Sequence, residues 1–312
     1  MTIFITQSEM QTYMRCKRKW WLSVYRALKL TDTKPVGALA LGTNVHDALA
    51  DHYARRGDAL TSFDRNYAGI MANLPEEDLD LASRVADDHK LGRLMIEGYL
   101  QWVMEEGVDV HLDVVSVEQK VDVPTHRDDV RLLGKLDLRV TDVHGARWFL
   151  DHKTTGSLTE PLKTLHMDFQ MLMYHLLEYL KAVEEGLDPT SGEVHCAGGM
   201  YNMLRKVQRT ARAKPPFYGR VDFTHGIIEL RSFYTRVIGT VNDIMMTRQA
   251  LDEGQDHHLV AYPTPSGRCS WDCEWRRVCP MFDDGSDHAR WIADFAVGYD
   301  PLERYTERTD EA

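Results

Sequence analysis

The sequence of 312 residues has no long hydrophobic run, no excess of positive charge and no low-complexity tract. No apolar stretch approaches the roughly 20 residues that span a bilayer, so we expect no membrane partner. Lysine and arginine number 37 against 48 aspartates and glutamates, a net charge of -11. Bulk electrostatic attraction to nucleic acid is therefore excluded, and local basic groups would have to provide any such contact.

Two further features are missing from the sequence. Residues 1–5 offer neither the basic start nor the apolar length of a secretory signal. We therefore expect a cytoplasmic location, where disulfides are rare and clustered cysteines bind metals or act in redox chemistry. No Gly-x-x-x-x-Gly-Lys segment is found either, which excludes a P-loop motor. Compact size without helicase motifs favours a nuclease of phage or mobile-element recombination.

Four of the five cysteines have the distribution of a metal site. Cys269, Cys273 and Cys279 lie close together in sequence, and Cys16 is the best candidate for a fourth thiolate. Four thiolates suit either tetrahedral zinc or an iron-sulfur cluster. Cys196 has no partner spacing, and we expect it to be a small buried apolar residue.

A carboxylate, Asp151, and an ammonium, Lys153, lie at the end of the apolar run 148–150. Phe149, Asp151 and Lys153 alternate along a predicted strand and therefore share one face. Burying the last two costs desolvation energy unless they pair or bind a metal. Asp137 on the preceding predicted strand adds a second carboxylate, and the backbone carbonyl of His152 with waters could complete a magnesium site. A surface hairpin with a salt bridge is the alternative for Asp-x-Lys alone.

Such a cation would have clear chemistry. It would polarise a phosphate and lower the pKa of a water to the range of attack, while Lys153 orients or deprotonates that water.

The order of these motifs resembles the PD-(D/E)xK nuclease superfamily, and in particular its RecB-type exonuclease branch, over about residues 6–283. Gly42 to His46 resembles the Gly-x-x-x-His motif of the branch, and Gln170 to Tyr174 its Gln-x-x-x-Tyr motif. The resemblance implies metal ligation by His46, Asp137, Asp151 and His152. It implies catalytic roles for Asp137, Asp151, Lys153, Gln170, Tyr174 and Glu118.

The cysteine pattern is similar to that of iron-sulfur members of the same branch, such as the AddB nuclease domain and the CRISPR adaptation nucleases. That resemblance implies a four-iron, four-sulfur cluster that joins the chain ends through Cys16, Cys269, Cys273 and Cys279. Three residues separate Cys269 from Cys273 where those families usually have two. Zn2+ at the cysteines therefore stays as the alternative.

Hydrophobic periodicity and turn residues predict an α/β protein. The resemblance to the superfamily implies a restriction-endonuclease-like core, with a mixed central sheet flanked by helices, a helical insertion and the iron-sulfur staple. Helices are predicted near 6–26, 38–56, 60–106, 160–185 and 233–253, and strands near 112–123, 130–141, 147–153, 193–205 and 225–232. We expect one domain over 1–283, comprising a helical part (1–110), a core (111–232) and a cysteine region (233–283), with a loosely held tail over 284–312.

We therefore expect a DNA exonuclease dependent on Mg2+ or Mn2+ that acts on single-stranded ends in recombination, repair or end processing. The chief rival among enzymes is a structure-specific or CRISPR-type end-processing nuclease that works with protein partners inside a larger complex. A catalytically idle DNA-binding or recombination scaffold is the rival from a different class. Two basic groups are candidate phosphate contacts: Arg15, Lys17, Arg18 and Lys19, and then Arg205, Lys206, Arg209, Arg212, Lys214 and Arg220. Polarity, strand preference, oligomeric state and pathway do not follow from the sequence.

Overall fold

The computed structural model describes residues 2–31, 35–187 and 196–305. The chain forms two compact units, each assembled from separate segments. The first unit comprises Met1–Thr33, Asp122–Gly134 and Arg231–Ala312, and the second comprises Lys34–Val121 and Lys135–Leu230. The expectation of one domain over 1–283 stays a prediction.

The main elements of the described residues follow in chain order. The helices are α1 (Gln7–Arg15), α2 (Lys17–Trp20), α3 (Ala38–Tyr53), α4 (Ala59–Ala72), α5 (Leu79–Glu106), α6 (Phe169–Glu184), α7 (Ile227–Asp252), α8 (His257–Val260) and α9 (His288–Phe295). The strands are β1 (Ile3–Thr6), β2 (Leu28–Leu30), β3 (Leu112–Pro124), β4 (Val130–Asp142), β5 (Arg147–Thr155), β6 (Gly198–Arg205), β7 (Tyr218–Phe223) and β8 (Ala296–Gly298). None of the described helices is long and apolar enough to cross a membrane.

The sheet of the second unit mixes parallel and antiparallel strands. The second half of β4 is antiparallel to β5, with Leu138 opposite Leu150. Strand β5 is parallel to β6, and β6 is antiparallel to β7. Helix α6 makes the crossover that a parallel pair requires. A mixed sheet flanked by helices confirms the predicted fold class.

Helices α3, α4 and α5 form the helical part of the second unit. Their apolar stripes bury Val45, Phe63 and Tyr99 in one cluster, which also contains Leu204 of β6 and Tyr218 of β7. Helix α5 ends where Gly107 adopts a left-handed conformation (φ 63°) that glycine tolerates without strain. The cluster anchors α3, which carries His46, to the sheet.

In the first unit, the predicted cap begins α1. The side chain of Thr6 accepts a hydrogen bond of 3.0 Å from the N–H of Glu9. The helix then breaks at Cys16, whose backbone is extended (φ -163°, ψ 111°), before α2. Cys16 therefore lies at a helix junction, where sequence periodicity predicted an uninterrupted helix.

Two sequence predictions differ from the structure in this region. The predicted strand near 225–232 is wrong, because α7 begins at Ile227 and the last strand of the second unit is β7. The physical reason is the spacing of Phe233, Val237, Val241 and Ile244, which are all buried and follow helical periodicity.

The expectation of a loosely held tail is also wrong for part of its length. Asp287 caps α9 by accepting from the N–H of Arg290 at 2.9 Å. The next residues form β8, which pairs antiparallel with β2 and sets Leu30 opposite Ala296. Residues 306–312 lie outside the described residues, as do 193–195 of a predicted strand.

Candidate active site

Two carboxylates meet where β4 and β5 part. The antiparallel register, carried one step beyond Leu138 and Leu150, sets Asp137 opposite Asp151. The Oδ2 of Asp137 accepts a hydrogen bond of 2.8 Å from the backbone N–H of His152. The side chain of Asp137 thus replaces a backbone partner at this point, and the strand pair holds both aspartates in fixed positions.

Asp151 is buried, with 1 % of its surface exposed. The Nζ of Lys153 lies 2.7 Å from Oδ2 of Asp151, and the Nε2 of Gln170 donates to Oδ1 at 3.3 Å. Although the ammonium is close, Oδ2 has no hydrogen bond of acceptable geometry among the described residues. A buried carboxylate oxygen with a charge beside it and no hydrogen bond fits a site for a cation.

His46 of α3 completes this group. Its Nδ1 lies 3.2 Å from Oδ2 of Asp137. Burial is the largest single influence and opposes the charge of Asp137, but the charge and hydrogen bond of His46, together with smaller contributions from other neighbours, lower the pKa of that carboxyl. Burial raises the pKa of Asp151, and Lys153 offsets only part of this. The two carboxyls therefore differ in their affinity for protons, in the manner of paired acidic groups at catalytic sites.

Helix α6 presents Gln170 and Tyr174 to the two strands. Asp168 caps the helix by accepting from the backbone N–H of Gln170 at 2.8 Å, which fixes where the helix begins. Gln170 then accepts from Lys153 Nζ at 2.9 Å and donates to the hydroxyl of Tyr174 at 2.8 Å. The structure brings the two residues of the Gln-x-x-x-Tyr motif to Lys153.

Glu118 reaches the site through an unusual backbone conformation. It lies within β3 with a positive φ of 52°, a left-handed conformation that costs a non-glycine residue about 1 kcal/mol. Its carboxylate forms an ion pair with Lys135. Burial, and next the charge of Asp137, raise the pKa of Glu118. A left-handed residue inside a strand turns its side chain out of the regular alternation between the two faces.

Sequence reasoning assigned no role to Lys135 or Tyr201. Lys135 shares a face of β4 with Asp137, two residues on, so strand alternation could have indicated it. Tyr201 is the register partner of Asp151 on β6. Burial raises the pKa of Tyr201 to about 12. No local pattern predicts that partner, because the two strands pair across a long sequence separation.

The imidazole of His152 lies on the other face of β5. It stacks on Tyr53 with ring centroids 5.5 Å apart, and its Nδ1 lies 2.8 Å from the Nδ2 of Asn202. Burial lowers the pKa of His152 to about 3, so the ring is neutral. The role of its backbone carbonyl as a metal ligand stays a prediction.

Arg220 belongs to the same buried network. It donates to Oδ1 of Asp109 at 2.6 Å and through Nε to Oδ1 of Asn202 at 3.0 Å. The expectation that Arg220 contacts DNA phosphates is therefore wrong, because its guanidinium is bound to Asp109 and Asn202 behind β5 and β6.

The side chains of His46, Asp137 and Asp151 offer the ligand atoms of a divalent-cation site, but their present spacing is too wide for direct ligation by all three. Two carboxylates supply the oxygen ligands that a hard cation takes, and the imidazole of His46 lies beside them as a nitrogen donor. However, no single choice of ligand atoms from His46, Asp137 and Asp151 brings all three within 4.8 Å, so binding requires small side-chain rotations. The group of described residues that meets this distance is Asp256, His257 and His258, in the first unit. Both nitrogens of His258 already have partners there, Asp256 and the carbonyl of Phe282.

The four clustered cysteines all belong to the first unit, and all are free. Burial is the first cause that raises the pKa of Cys273 and Cys279, and the nearby Cys16 thiol also raises both. The Sγ of Cys269 accepts from the N–H of Ser266 at 3.4 Å. Cys196 is buried, as predicted, and burial raises its pKa to about 12.

The basic residues near Cys16 are used within the first unit. Arg18 is 1 % exposed and pairs with Asp283 at 2.6 Å, while its Nη1 donates to the carbonyl of Cys279 at 3.1 Å. Arg15 pairs with Asp272 and Lys19 with Glu274, both at 2.7 Å. The expectation that this group contacts phosphates is not supported, because these cations bridge the N-terminal helices to the cysteine region.

Comparison with known proteins gives the class of this fold and site. The family model described as the PD-(D/E)XK nuclease superfamily matches residues 5–280. The chain belongs to this superfamily, and its membership implies a nuclease.

A solved structure described as "Crystal structure of SSO0001" is 11 % identical, with a TM-score of 0.35 over 89 % of this chain and 86 % of that chain. A similarity at that level carries no argument. We find no match among curated proteins.

The left-handed conformation of Glu118 predicts that glycine at this position is more stable than alanine, the reverse of the usual order within a strand. Within a strand, glycine is ordinarily less stable than alanine. At φ 52° alanine is strained, so Glu118→Gly should be about 1 kcal/mol more stable than Glu118→Ala. Urea unfolding of the two variants, which both lack the carboxylate, measures the difference. An alanine variant whose free energy of unfolding equals or exceeds that of the glycine variant would contradict the left-handed conformation of residue 118.

Proposed function

We propose that the chain is a DNA exonuclease of the RecB-type branch that hydrolyses phosphodiester bonds at single-stranded ends with Mg2+ or Mn2+. The observation that carries the proposal is the convergence of Asp137, Asp151, Lys153 and Gln170 on one face of the sheet beside His46. Superfamily membership supports the chemistry, because it implies a nuclease.

In this proposal, His46, Asp137 and Asp151 hold the divalent ion, with the carbonyl of His152 as a further ligand. The bound ion supplies charge that polarises the phosphate and acidifies a water. The residues themselves position the reactants. The water oxygen forms a new bond to phosphorus, the bond to the leaving oxygen breaks, and the water loses a proton as the leaving oxygen gains one.

In this proposal, Lys153 acts through its positive charge. Burial disfavours its charge, but Asp151 and Asp137 outweigh burial and raise the pKa of Lys153. An ammonium held by Gln170 at 2.9 Å can donate to a phosphate oxygen or orient the water. Of the two roles that the sequence suggested, orientation therefore has more support than deprotonation. Tyr174 positions Gln170, and the carboxylate of Glu118, which pairs with Lys135, would hold a second ion or orient the ligands of the first.

The substrate form is part of the proposal. The helical group of α3, α4 and α5 stands beside the site, which suits a channel for a single strand. The loop between β6 and β7 adds basic residues: the Nζ of Lys206 donates to the carbonyl of Ala38 at 3.4 Å, and Arg209 stacks on Phe217 at 3.7 Å from the ring centroid. Aromatic and basic residues in one loop suit backbone contact without base reading. We place the activity in cytoplasmic recombination or repair, in association with a protein partner.

For the four clustered cysteines we propose a four-iron, four-sulfur cluster. Its support is the order of one early and three late cysteines, which resembles that of the iron-sulfur members of the branch, and tetrahedral zinc is the alternative. Cysteine ligation would add binding energy to contacts that already join the two ends of the first unit, such as Arg18 with Asp283.

Loss of the central charges should abolish hydrolysis. We expect Asp151→Asn and Lys153→Ala each to lower the rate of Mg2+-dependent nucleotide release by at least about 10²-fold, because ligation and charge stabilisation are lost. Labelled single-stranded DNA reports the rate, and a mobility assay reports binding. Asp113→Asn, an exposed carboxylate change on β3, is the matched control. If wild type releases no nucleotides with either ion, the idle-scaffold function replaces this one.

The cluster has a spectroscopic signature. Anaerobically purified protein should show a broad absorption at about 400 nm that Cys269→Ser removes, because iron-sulfur charge transfer requires the full thiolate set. Cys196→Ser is the control and should keep the band, since Cys196 lies outside the cysteine group. Stoichiometric zinc in a colourless protein would refute the cluster and support the zinc alternative.

A further inference from the structure

A second cavity lies on the same unit as the candidate active site. It has a volume of about 280 Å³ and is bounded by β3, β4, the start of β5 and α6. Its polar lining comes from Ser116, Gln119, Arg139, Arg147 and Glu178. Two arginines in one cavity are notable in a chain with a net charge of -11.

The cavity shares the sheet face of the two aspartates. Arg139 follows Asp137 by two residues on β4, and Arg147 precedes Asp151 by four on β5, so strand alternation places all four on one face. On α6, Glu178 follows Tyr174 by one helical turn and lies on the same helix face. The sheet face therefore carries the aspartates at one end and the arginines at the other, with Phe149 buried against Tyr174 of α6 between them.

Arg139 is rigidly placed. Its Nε donates to Oε1 of Glu178 at 2.8 Å, and its Nη1 donates to Oε1 of Gln119 at 2.9 Å. Glu178 is itself buried, so this pair is held in place by its surroundings. Gln119 is the neighbour of Glu118, whose left-handed backbone lies beside the aspartates.

Arg147 has the opposite character. It is exposed, and its guanidinium forms no hydrogen bond or ion pair with any residue that the structure describes. Its charge lies close enough to lower the pKa of Glu178. With one carboxylate and two guanidiniums, the cavity carries a net positive charge, and Arg147 supplies the donors that remain available to an anion.

The distance along the strands from the aspartates to the arginines shows how far apart two bound phosphates would be. Two residues of strand span about 7 Å and four span about 13 Å. A phosphate in the cavity and a phosphate bound at the aspartates would therefore be about 7 to 13 Å apart, a separation of a few nucleotides along one strand.

We propose that this cavity is a phosphate subsite, in which Arg147 binds a backbone phosphate of the DNA strand a few nucleotides from the bond that is cleaved. Arg139, Ser116 and Gln119 form its wall, and the exposed Val115 provides apolar surface for a sugar. The subsite rests on the proposed function, because it assigns the anion to a strand engaged at the active site. Phosphate contacts of this kind fix the register of the strand without reading its sequence.

The experiment measures binding of a single-stranded 12-mer as a function of salt, in full-length protein that carries Asp151→Asn to prevent cleavage. Arg147→Gln should weaken binding about fivefold to tenfold and reduce the slope of log K against log salt by about 0.7, the value for one phosphate contact on a single strand. Arg84→Gln, an exposed charge change on α5, is the matched control and should leave the slope unchanged.

A double-mutant cycle then locates the phosphate. Single methylphosphonates, which remove one phosphate charge, are placed at successive positions of the 12-mer. At one position the loss caused by Arg147→Gln should disappear, because the contact is already absent. Losses that multiply at every position, an unchanged slope, or no binding by the parent protein would overturn the subsite. A parent that binds with the predicted slope, together with a wild type that releases no nucleotides, would refute the nuclease activity alone.

Discussion

The buried carboxylate of Asp151 is the constraint on which the site depends. A charge that is 1 % exposed is costly unless a counter-charge lies beside it. Lys153 provides that charge, Gln170 orients Lys153, and Tyr174 orients Gln170. Each of these groups is held by a strand or by a capped helix, so the arrangement is preorganised before any substrate binds.

The two faces of β5 carry different kinds of side chain. The front face carries the acidic and basic groups, while the back face carries a neutral, buried His152 tied to Asn202 and Arg220. These hydrogen bonds hold the back face of the sheet, while Nε2 of His152 has no hydrogen-bond partner among the described residues. In the first unit, the contacts join distant segments of the chain. Arg18 pairs with Asp283, and β2 pairs with β8. The proposed cluster would reinforce contacts that already exist.

Sequence reasoning succeeded where a periodicity determines geometry. Strand alternation and the four-residue spacing of Gln170 and Tyr174 placed those side chains together, and the fold class followed. It failed where a partner is distant in sequence, as for Tyr201, or where the backbone departs from the rule, as for the left-handed Glu118. It also treated Arg220 as free to bind DNA, because a sequence shows a charge and not the carboxylate that neutralises it.

The central claim is that a divalent ion binds between the two parting strands. Anomalous diffraction from crystals soaked in Mn2+ tests this directly. The account predicts a peak within coordination distance of His46, Asp137 and Asp151, with small rotations of these side chains from the present arrangement. A peak at Asp256, His257 and His258 alone, with the strand site vacant at saturating Mn2+, would contradict it.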